Sequence, residues 1–446
     1  KETGTIQSDH RDDLVPFIMR IVFSKMSTKT GLRTGGKASG QLRRNLVFRF
    51  LAGCQETEML TFTKMALQYY ARHLKDDPEV MVEELRKNVT LENFIPPKRL
   101  QSTINLINVI LDQFGGLMGN DLLTFLIQVV LMMGGVVKIA FDELADVHSG
   151  YWPILRNLRT SSIKIVERIF SQFDHYPWTN KQINTIFKVF VWPYLDKLNT
   201  EGIHSPTTLL KLFVQWGSNP RYFSLLVKHE DDKQEQFVLP HVIQLLLNDK
   251  SKITVVNIIE EMIEKLLTLQ ADEEDLQLVV PVDNLLPIAK NILDRVKIDD
   301  KLNYGSCILL PYVPSILEKI KRQLQRKKSL NQRELLILSR ISELVWESDI
   351  SDSTLKLLLP QVLKRCTPST GDEVITQLLT TVSNLINYVD NPRQHLKHFT
   401  PLFGEVASAS GRKLLIQALK NVGTKLELEL IEGLNAFDHK WIDQPD

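Results

Sequence analysis

The sequence predicts an all-α protein built of stacked helix pairs, and three observations carry that reading. Apolar residues recur at helical spacing, as at Ile104, Ile107, Leu111 and Phe114. No segment alternates apolar and polar residues as a half-buried strand does, and no Asn-Gly turn joins alternating runs. An apolar-Pro-x-apolar string recurs at Pro16, Pro153, Pro193, Pro240, Pro287, Pro311, Pro360 and Pro401. From Pro153 the steps are 40, 47, 47, 24, 49 and 41 residues. Apart from the short step, these match the roughly 40–47 residue period of HEAT or armadillo repeats. The predicted fold is therefore a HEAT/armadillo-like α-solenoid, a superhelix of stacked helix pairs.

Proline is tolerated in the first turn of a helix, where its missing N–H has no partner to lose. Each recurrent proline is accordingly expected to open a helix. Residues 1–150 read as degenerate repeats, with one unit beginning at Ile95-Pro96-Pro97 and a basic, glycine-rich loop over 24–44. Residues 151–446 read as a more regular array. In order, helical periodicity marks 103–114, 163–173, 183–190, 254–269, 334–346 and 373–388. Pro311 and Pro314 stand together at the short step, which puts one of them out of register. The acidic runs His229–Glu235 and Asp272–Asp275 read as solvated connectors between helices. The whole, 1–446, reads as an array cut from a longer chain.

An apolar content of 43% with 24% charged residues is that of a folded, water-soluble chain. The 54 basic and 53 acidic residues nearly cancel, so any affinity for a polyanion must be local. Cys54, Cys307 and Cys366 are distant from one another and form no CxxC, which points away from a disulfide framework and a zinc ribbon. The most apolar run, Leu122–Val137, falls short of the roughly 20 residues of a spanning helix and reads as a buried one. His395 and His398 share a helix face with no further ligand and read as surface or packing residues. Asn88-Val-Thr90 matches a glycosylation acceptor, with nothing else to suggest secretion. No catalytic motif set is present, so no enzyme, cofactor, metal, small-molecule substrate or membrane role is expected.

Charge is local in two places. Between Asp13 and Glu56 there is no acidic residue, while Lys25, Lys29, Arg33, Lys37, Arg43 and Arg44 cluster among glycines. Gly31–Lys37 has the GxxxxGK spacing of a phosphate loop, but Ala38 replaces the hydroxyl that would hold magnesium, and no sheet surrounds it. Lysine and arginine neutralise backbone phosphates, and glycine permits close approach. The six cations are thus candidates for RNA or another polyanion, an acidic protein being the competing partner and a merely solvated insertion the third reading. The second place holds Lys321, Arg322, Arg326, Lys327 and Lys328, read either as a solvated helix end, where cations favour the dipole, or as an RNA-facing or nuclear-targeting patch.

The residues His10-Arg11, Leu14, Pro16, Met19-Arg20-Ile21, Lys25-Met26, Lys29, Gly35-Gly36-Lys37, Arg43-Arg44 and Arg49-Phe50-Leu51 resemble a signature segment of the DRIM (down-regulated in metastasis) family. The resemblance covers about the first 60 residues. The family comprises very long HEAT-repeat proteins associated with the U3 small nucleolar RNA in the small-subunit processome. It implies a non-enzymatic scaffold in the nucleus and nucleolus, supporting processing of pre-18S rRNA. The implied partners are pre-ribosomal RNA, the U3 RNA and other processome proteins. It supplies no catalytic residue. Two other roles suit a helical array: a protein-binding transport receptor, and the regulatory solenoid of a larger enzyme.

Overall fold

The computed structural model describes residues 56–71, 73–90, 92–115, 118–142, 144, 149–228, 237–270, 304–326, 329–345, 347–365, 371–406 and 409–423. Every regular element among them is helical, and the fold class is an all-α array of stacked helix pairs. They fall in two compact units, one within Lys1–Asp196 and Thr207–Gln215, the other within Lys197–Pro206 and Trp216–Asp446.

The first unit is assembled around one helix. Its elements are α1 (Glu56–Ala66), α2 (Gln68–Ala71), α3 (Pro78–Asn88), α4 (Pro97–Phe114), α5 (Asn120–Asp142), α6 (Trp152–Gln172) and α7 (Asn180–Ile186). Helix α4 starts at a proline, as the Ile95-Pro96-Pro97 string predicts. Helix α7 starts at a capping box in which Thr179 and Gln182 satisfy each other's backbone N–H groups. The apolar run Leu122–Val137 lies inside α5, which is apolar on all sides and therefore buried on all sides. At 23 residues α5 is long and apolar enough to cross a membrane, but 83% of its most apolar window is buried inside the protein. It packs against α1, α3, α4, α6 and a π-helical turn, Phe187–Val191, that continues α7.

Polar contacts fix the register around this core. Asn157 of α6 donates to Gln101 of α4 at 3.0 Å, and Arg168 pairs with Asp112 at 2.6 Å. Both pairs are separated by 56 residues, so α4 and α6 run parallel with α5 between them in sequence. Asp77 caps α3 through the Glu79 N–H and also pairs with Lys181 of α7 at 2.5 Å. The bond from Lys181 is the main cause that holds the Asp77 carboxyl below the usual carboxylate range.

The second unit is laid out in two rows. Helix α8 (Leu195–Glu201) spans the boundary, and α9 (Thr208–Trp216) belongs to the first unit apart from its last residue; the second unit's further elements are α10 (Val238–Leu247), α11 (Ile253–Thr268), α12 (Tyr304–Leu309), α13 (Val313–Gln325), α14 (Gln332–Ser342), α15 (Ser348–Arg365), α16 (Asp372–Ile386), α17 (Leu396–Glu405) and α18 (Ala409–Gly423). Helices α11, α14, α16 and α18 pack side by side as one row, and α10, α13, α15 and α17 form the other. The pairs α10–α11, α13–α14 and α15–α16 bridge the rows. Each pair has an apolar face that only its neighbours can cover, which is the physical origin of the stacking.

Hydrogen bonds between equivalent positions display the repeat. Gln332 reaches Glu373, Asn384 reaches Ser342, the Asp390 N–H reaches Ser348 and Gln394 reaches Asp352, at separations of 41 or 42 residues. His395, 1% exposed, sits 2.7 Å from Asp352. Desolvation raises the Asp352 carboxyl, but the bonds from Lys356 and His395 outweigh it and hold it low. His395 is thus a packing histidine that ties α17's entry to α15.

The prolines divide into two groups. Pro153 and Pro314 occupy the first turn of an α-helix, Pro193 and Pro311 each stand at the start of a short 3-10 turn, and Pro240 is the third residue of α10. Pro360 and Pro401 instead lie inside α15 and α17, which corrects the expectation that each opens a helix. An interior proline leaves one carbonyl without its N–H partner and strains the helix, at a cost of about 3 kcal/mol. Contacts with the neighbouring rows must outweigh it. Pro360 is also out of register with Pro314. Lys321 of α13 bonds Ser353 of α15, a separation of 32 residues, whereas the prolines are 46 apart. Pro16 and Pro287 lie outside the described residues, as do the acidic runs 229–235 and 272–275.

Candidate nucleic-acid interface

The loop cations Lys25, Lys29, Arg33, Lys37, Arg43 and Arg44 lie outside the described residues, as do Lys327 and Lys328. The interface that can be built from geometry is the C-terminal end of α13. This helix is strongly amphipathic, burying Val313, Ile316, Leu317, Ile320 and Leu324 along one stripe. The opposite face carries Glu318, Arg322 and Arg326.

The three predicted cations of α13 have different fates. Lys321 is turned inward, its side chain 17% exposed and its ammonium donating to Ser353 Oγ at 2.8 Å. Arg322 is exposed and pairs with Glu318 one turn back, 3.3 Å away. Arg326, 58% exposed, reaches across to Asp249 at 3.5 Å, in the turn between α10 and α11. The structure therefore brings Arg322 and Arg326 to the surface together and takes Lys321 out of it. It also adds residues that the linear reading passes over, since Lys250 and Lys252 flank that same turn. Seventy-odd residues separate them from Arg326, and no local motif marks the pairing.

Beneath this end lies a buried ionic cluster. Lys319 is 3.7 Å from Glu260 of α11 and donates to the Leu246 carbonyl of α10 at 3.0 Å. Glu334 of α14 accepts from Gln323 at 2.8 Å and from the Asn331 N–H at 2.7 Å, so the same carboxylate caps α14 and anchors α13. Arg333 pairs with Glu264 at 2.6 Å. Burial is the main cause that raises the Glu260 carboxyl to about 7; Glu334 adds to it, while Lys319 and Arg333 oppose it. Burial likewise lowers the Lys319 ammonium, against the pull of Glu260 and Glu334.

A raised carboxyl contributes stability that is complete below its unfolded value, near 4.5, and is lost as pH rises through about 7. That loss is about 3 kcal/mol, since a tenfold change in proton affinity is worth roughly 1.4 kcal/mol. Glu260→Gln removes the titration. The variant's unfolding free energy is expected to vary less between about pH 4.5 and 8 than the parent's. Denaturant titrations across that range check it, and two parallel curves would refute the assignment.

Among the described residues, no group of three or more His, Cys, Asp or Glu is placed to hold a metal ion. Fold and charge together define a helical-repeat protein whose surface offers cations at helix ends. The chain belongs to the family described as "U3 small nucleolar RNA-associated protein 20, N-terminal", whose sequence profile matches residues 1–446. The likeness thus extends beyond the first 60 residues, where the signature segment lies, to the whole chain. It is similar to the fission yeast (Schizosaccharomyces pombe) protein "U3 small nucleolar RNA-associated protein 20", 22% identical over 473 residues. The match takes in 99% of this chain and 17% of that protein, so the chain spans about a sixth of that relative's length. A crystal structure of an engineered protein overlaps 78% of this chain and 96% of its own, with 10% identity and a TM-score of 0.33.

Proposed function

We propose that this chain is part of a non-enzymatic scaffold in ribosome biogenesis, associated with U3 small nucleolar RNA and the small-subunit processome in the nucleolus. The observation that carries the reading is the family match over residues 1–446, in a family whose description is U3 RNA association. The architecture suits the role. Stacked helix pairs present long surfaces whose geometry is set by packing and needs no bond-making chemistry. The scaffold holds pre-ribosomal RNA and assembly proteins in fixed relation. The basic segment around Lys25, Lys29, Arg33, Lys37, Arg43 and Arg44 supplies phosphate contacts, and the exposed arginines of α13 supply others.

Such contacts are electrostatic and largely independent of sequence, because phosphates position a nucleic acid and base edges specify it. Reversing Lys37, Arg43 and Arg44 to Glu is expected to weaken binding to unrelated single-stranded RNAs by a similar factor. The salt dependence should flatten by about 2 in log–log slope, at roughly 0.7 per phosphate contact. Filter binding across a salt series measures both, and an unchanged slope would sink the loop's role. Recovery of the tagged protein from nuclear extract tests the reading as a whole: U3 RNA should come with it. Partners that survive ribonuclease treatment, in the absence of U3 RNA, would favour the transport-receptor alternative.

A further inference from the structure

The turn joining α10 to α11 is built as a rigid platform, and what it displays is charge. Asn248 Oδ1 accepts from the Lys250 N–H at 3.0 Å, and the Asn248 carbonyl accepts from the Ser251 N–H at 2.9 Å. Ser251 Oγ donates back to the Leu245 carbonyl at 2.7 Å. The Lys252 N–H then donates to the Ile203 carbonyl at 2.9 Å, fastening this turn to the preceding one. On the other side, Asp249 pairs with Arg326 at the end of α13. Three connections that lie far apart in sequence, around residues 203, 250 and 326, are thus tied edge to edge within the second unit.

The charge balance along this edge is uneven. Arg322 is balanced by Glu318 and Arg326 by Asp249, while the exposed Lys250 and Lys252 have no acidic partner among the described residues. Because four hydrogen bonds already fix the backbone that carries these two lysines, only their side chains remain to be ordered on meeting a ligand. A polyanion whose charges repeat along a flexible chain can engage both and exchange with the two surface ion pairs beside them, which are worth little in water.

We propose that this edge, centred on Lys250, Lys252 and Arg326, is a second phosphate-backbone contact for single-stranded RNA, separate from the amino-terminal basic segment. The inference rests on the RNA-scaffold reading above and deepens it by naming a surface. No aromatic side chain lies in the 248–252 turn, so contact there is through phosphates, without base stacking. Ile253, 68% exposed beside the lysines, plays no part in it.

The test compares three forms of the 446-residue chain binding a single-stranded oligouridine over a salt series. Lys250→Glu/Lys252→Glu/Arg326→Glu is expected to lower affinity about tenfold and flatten the log–log salt slope by about 2. A control with the same charge change at scattered exposed lysines, Lys98→Glu/Lys211→Glu/Lys420→Glu, should lose much less. Equal loss in the two variants would overturn the edge and leave only a net-charge effect. So would binding that falls with Ile253→Ser but not with the triple reversal, the mark of a protein-type contact. Should the triple reversal unfold, the charge-neutralising Lys250→Gln/Lys252→Gln must still flatten the slope by about 1. Absence of binding by the unsubstituted chain would count against the RNA-scaffold reading itself. Binding that the reversal leaves intact would count against the edge alone.

Discussion

Lys319→Ala is expected to destabilise the second unit by about 3–5 kcal/mol, the usual consequence of stripping one partner from a buried ion cluster. Lys319 is 15% exposed, and its ammonium serves three elements at once: Glu260 of α11, the Leu246 carbonyl of α10 and, electrostatically, Glu334 of α14. Removing it leaves Glu260 facing Glu334 with only Arg333 to offset them. The carbonyl of Leu246 loses a donor as well. Glu260 can relieve the first problem by taking up a proton, so the penalty should be smaller near pH 5 than near pH 8. Hydrogen exchange in α11 and α13 should accelerate before that in α16 and α18, which do not touch the cluster. Replacing the pair together, as Lys319→Met with Glu260→Leu, should recover most of the loss, because an apolar pair of similar volume needs no compensation. A double variant as unstable as Lys319→Ala would mean that the Leu246 bond, not the ion pair, carries the effect.

That cluster shows how far a sequence can be read. Lys319 opens the basic run 319–328, and in the linear sequence nothing separates it from its neighbours. Only the phase of the apolar stripe through Ile316, Ile320 and Leu324 turns Lys319 inward and Arg322 outward. Phase follows from periodicity, but the partner on the inward side does not, because Glu260 is 59 residues away with the undescribed stretch 271–303 in between. The same limit hid Lys250 and Lys252, whose relation to Arg326 is set by inter-helix register. Register was partly legible. The 41-residue step from Pro360 to Pro401 agrees with the 41 and 42 residue bonds from α14 and α15 to α16 and the turn before α17. The step into Pro360 misled, because α13 and α15 are offset by about 32 residues and the proline falls well inside its helix. A string of residue types records where a proline is tolerated; contacts with neighbours decide whether a helix starts there. Helix existence, by contrast, was plain in the apolar spacing of α4, α6, α11, α14 and α16, where no alternative element could bury the stripe, and in the unbroken apolar run of α5.

Gly134→Leu should cost the first unit about 3 kcal/mol, at the upper end of what overpacking a close-packed core usually costs. Gly134 and Gly135 sit together inside α5, where glycine is worse than alanine by about 1 kcal/mol in intrinsic helix preference. Some contact must therefore outweigh that deficit, and the two positions differ sharply in what they meet. A Cβ on Gly134 would stand 2.2 Å from Phe190 Cζ and 2.8 Å from Val189 Cγ1, both on the π-helical turn. Phe190 is 1% exposed, so its ring is enclosed by the core and can move only if its neighbours move with it. A Cβ on Gly135 would meet Val82 of α3 at 3.3 Å, tight but within reach of a small shift. The π turn widens the helix by one residue and presses Phe190 onto the α5 backbone, so Gly134 is the position that lets the two helices close. Gly134→Ala is accordingly expected to destabilise by about 1–3 kcal/mol despite its better helix propensity, and Gly135→Ala to lie within about 1 kcal/mol of neutral. Phe190→Leu, itself destabilising, should make Gly134→Ala cheaper, giving a favourable coupling of at least about 0.5 kcal/mol in a double-mutant cycle. Additive losses in that cycle would show that the glycine serves the helix backbone and not the contact with Phe190.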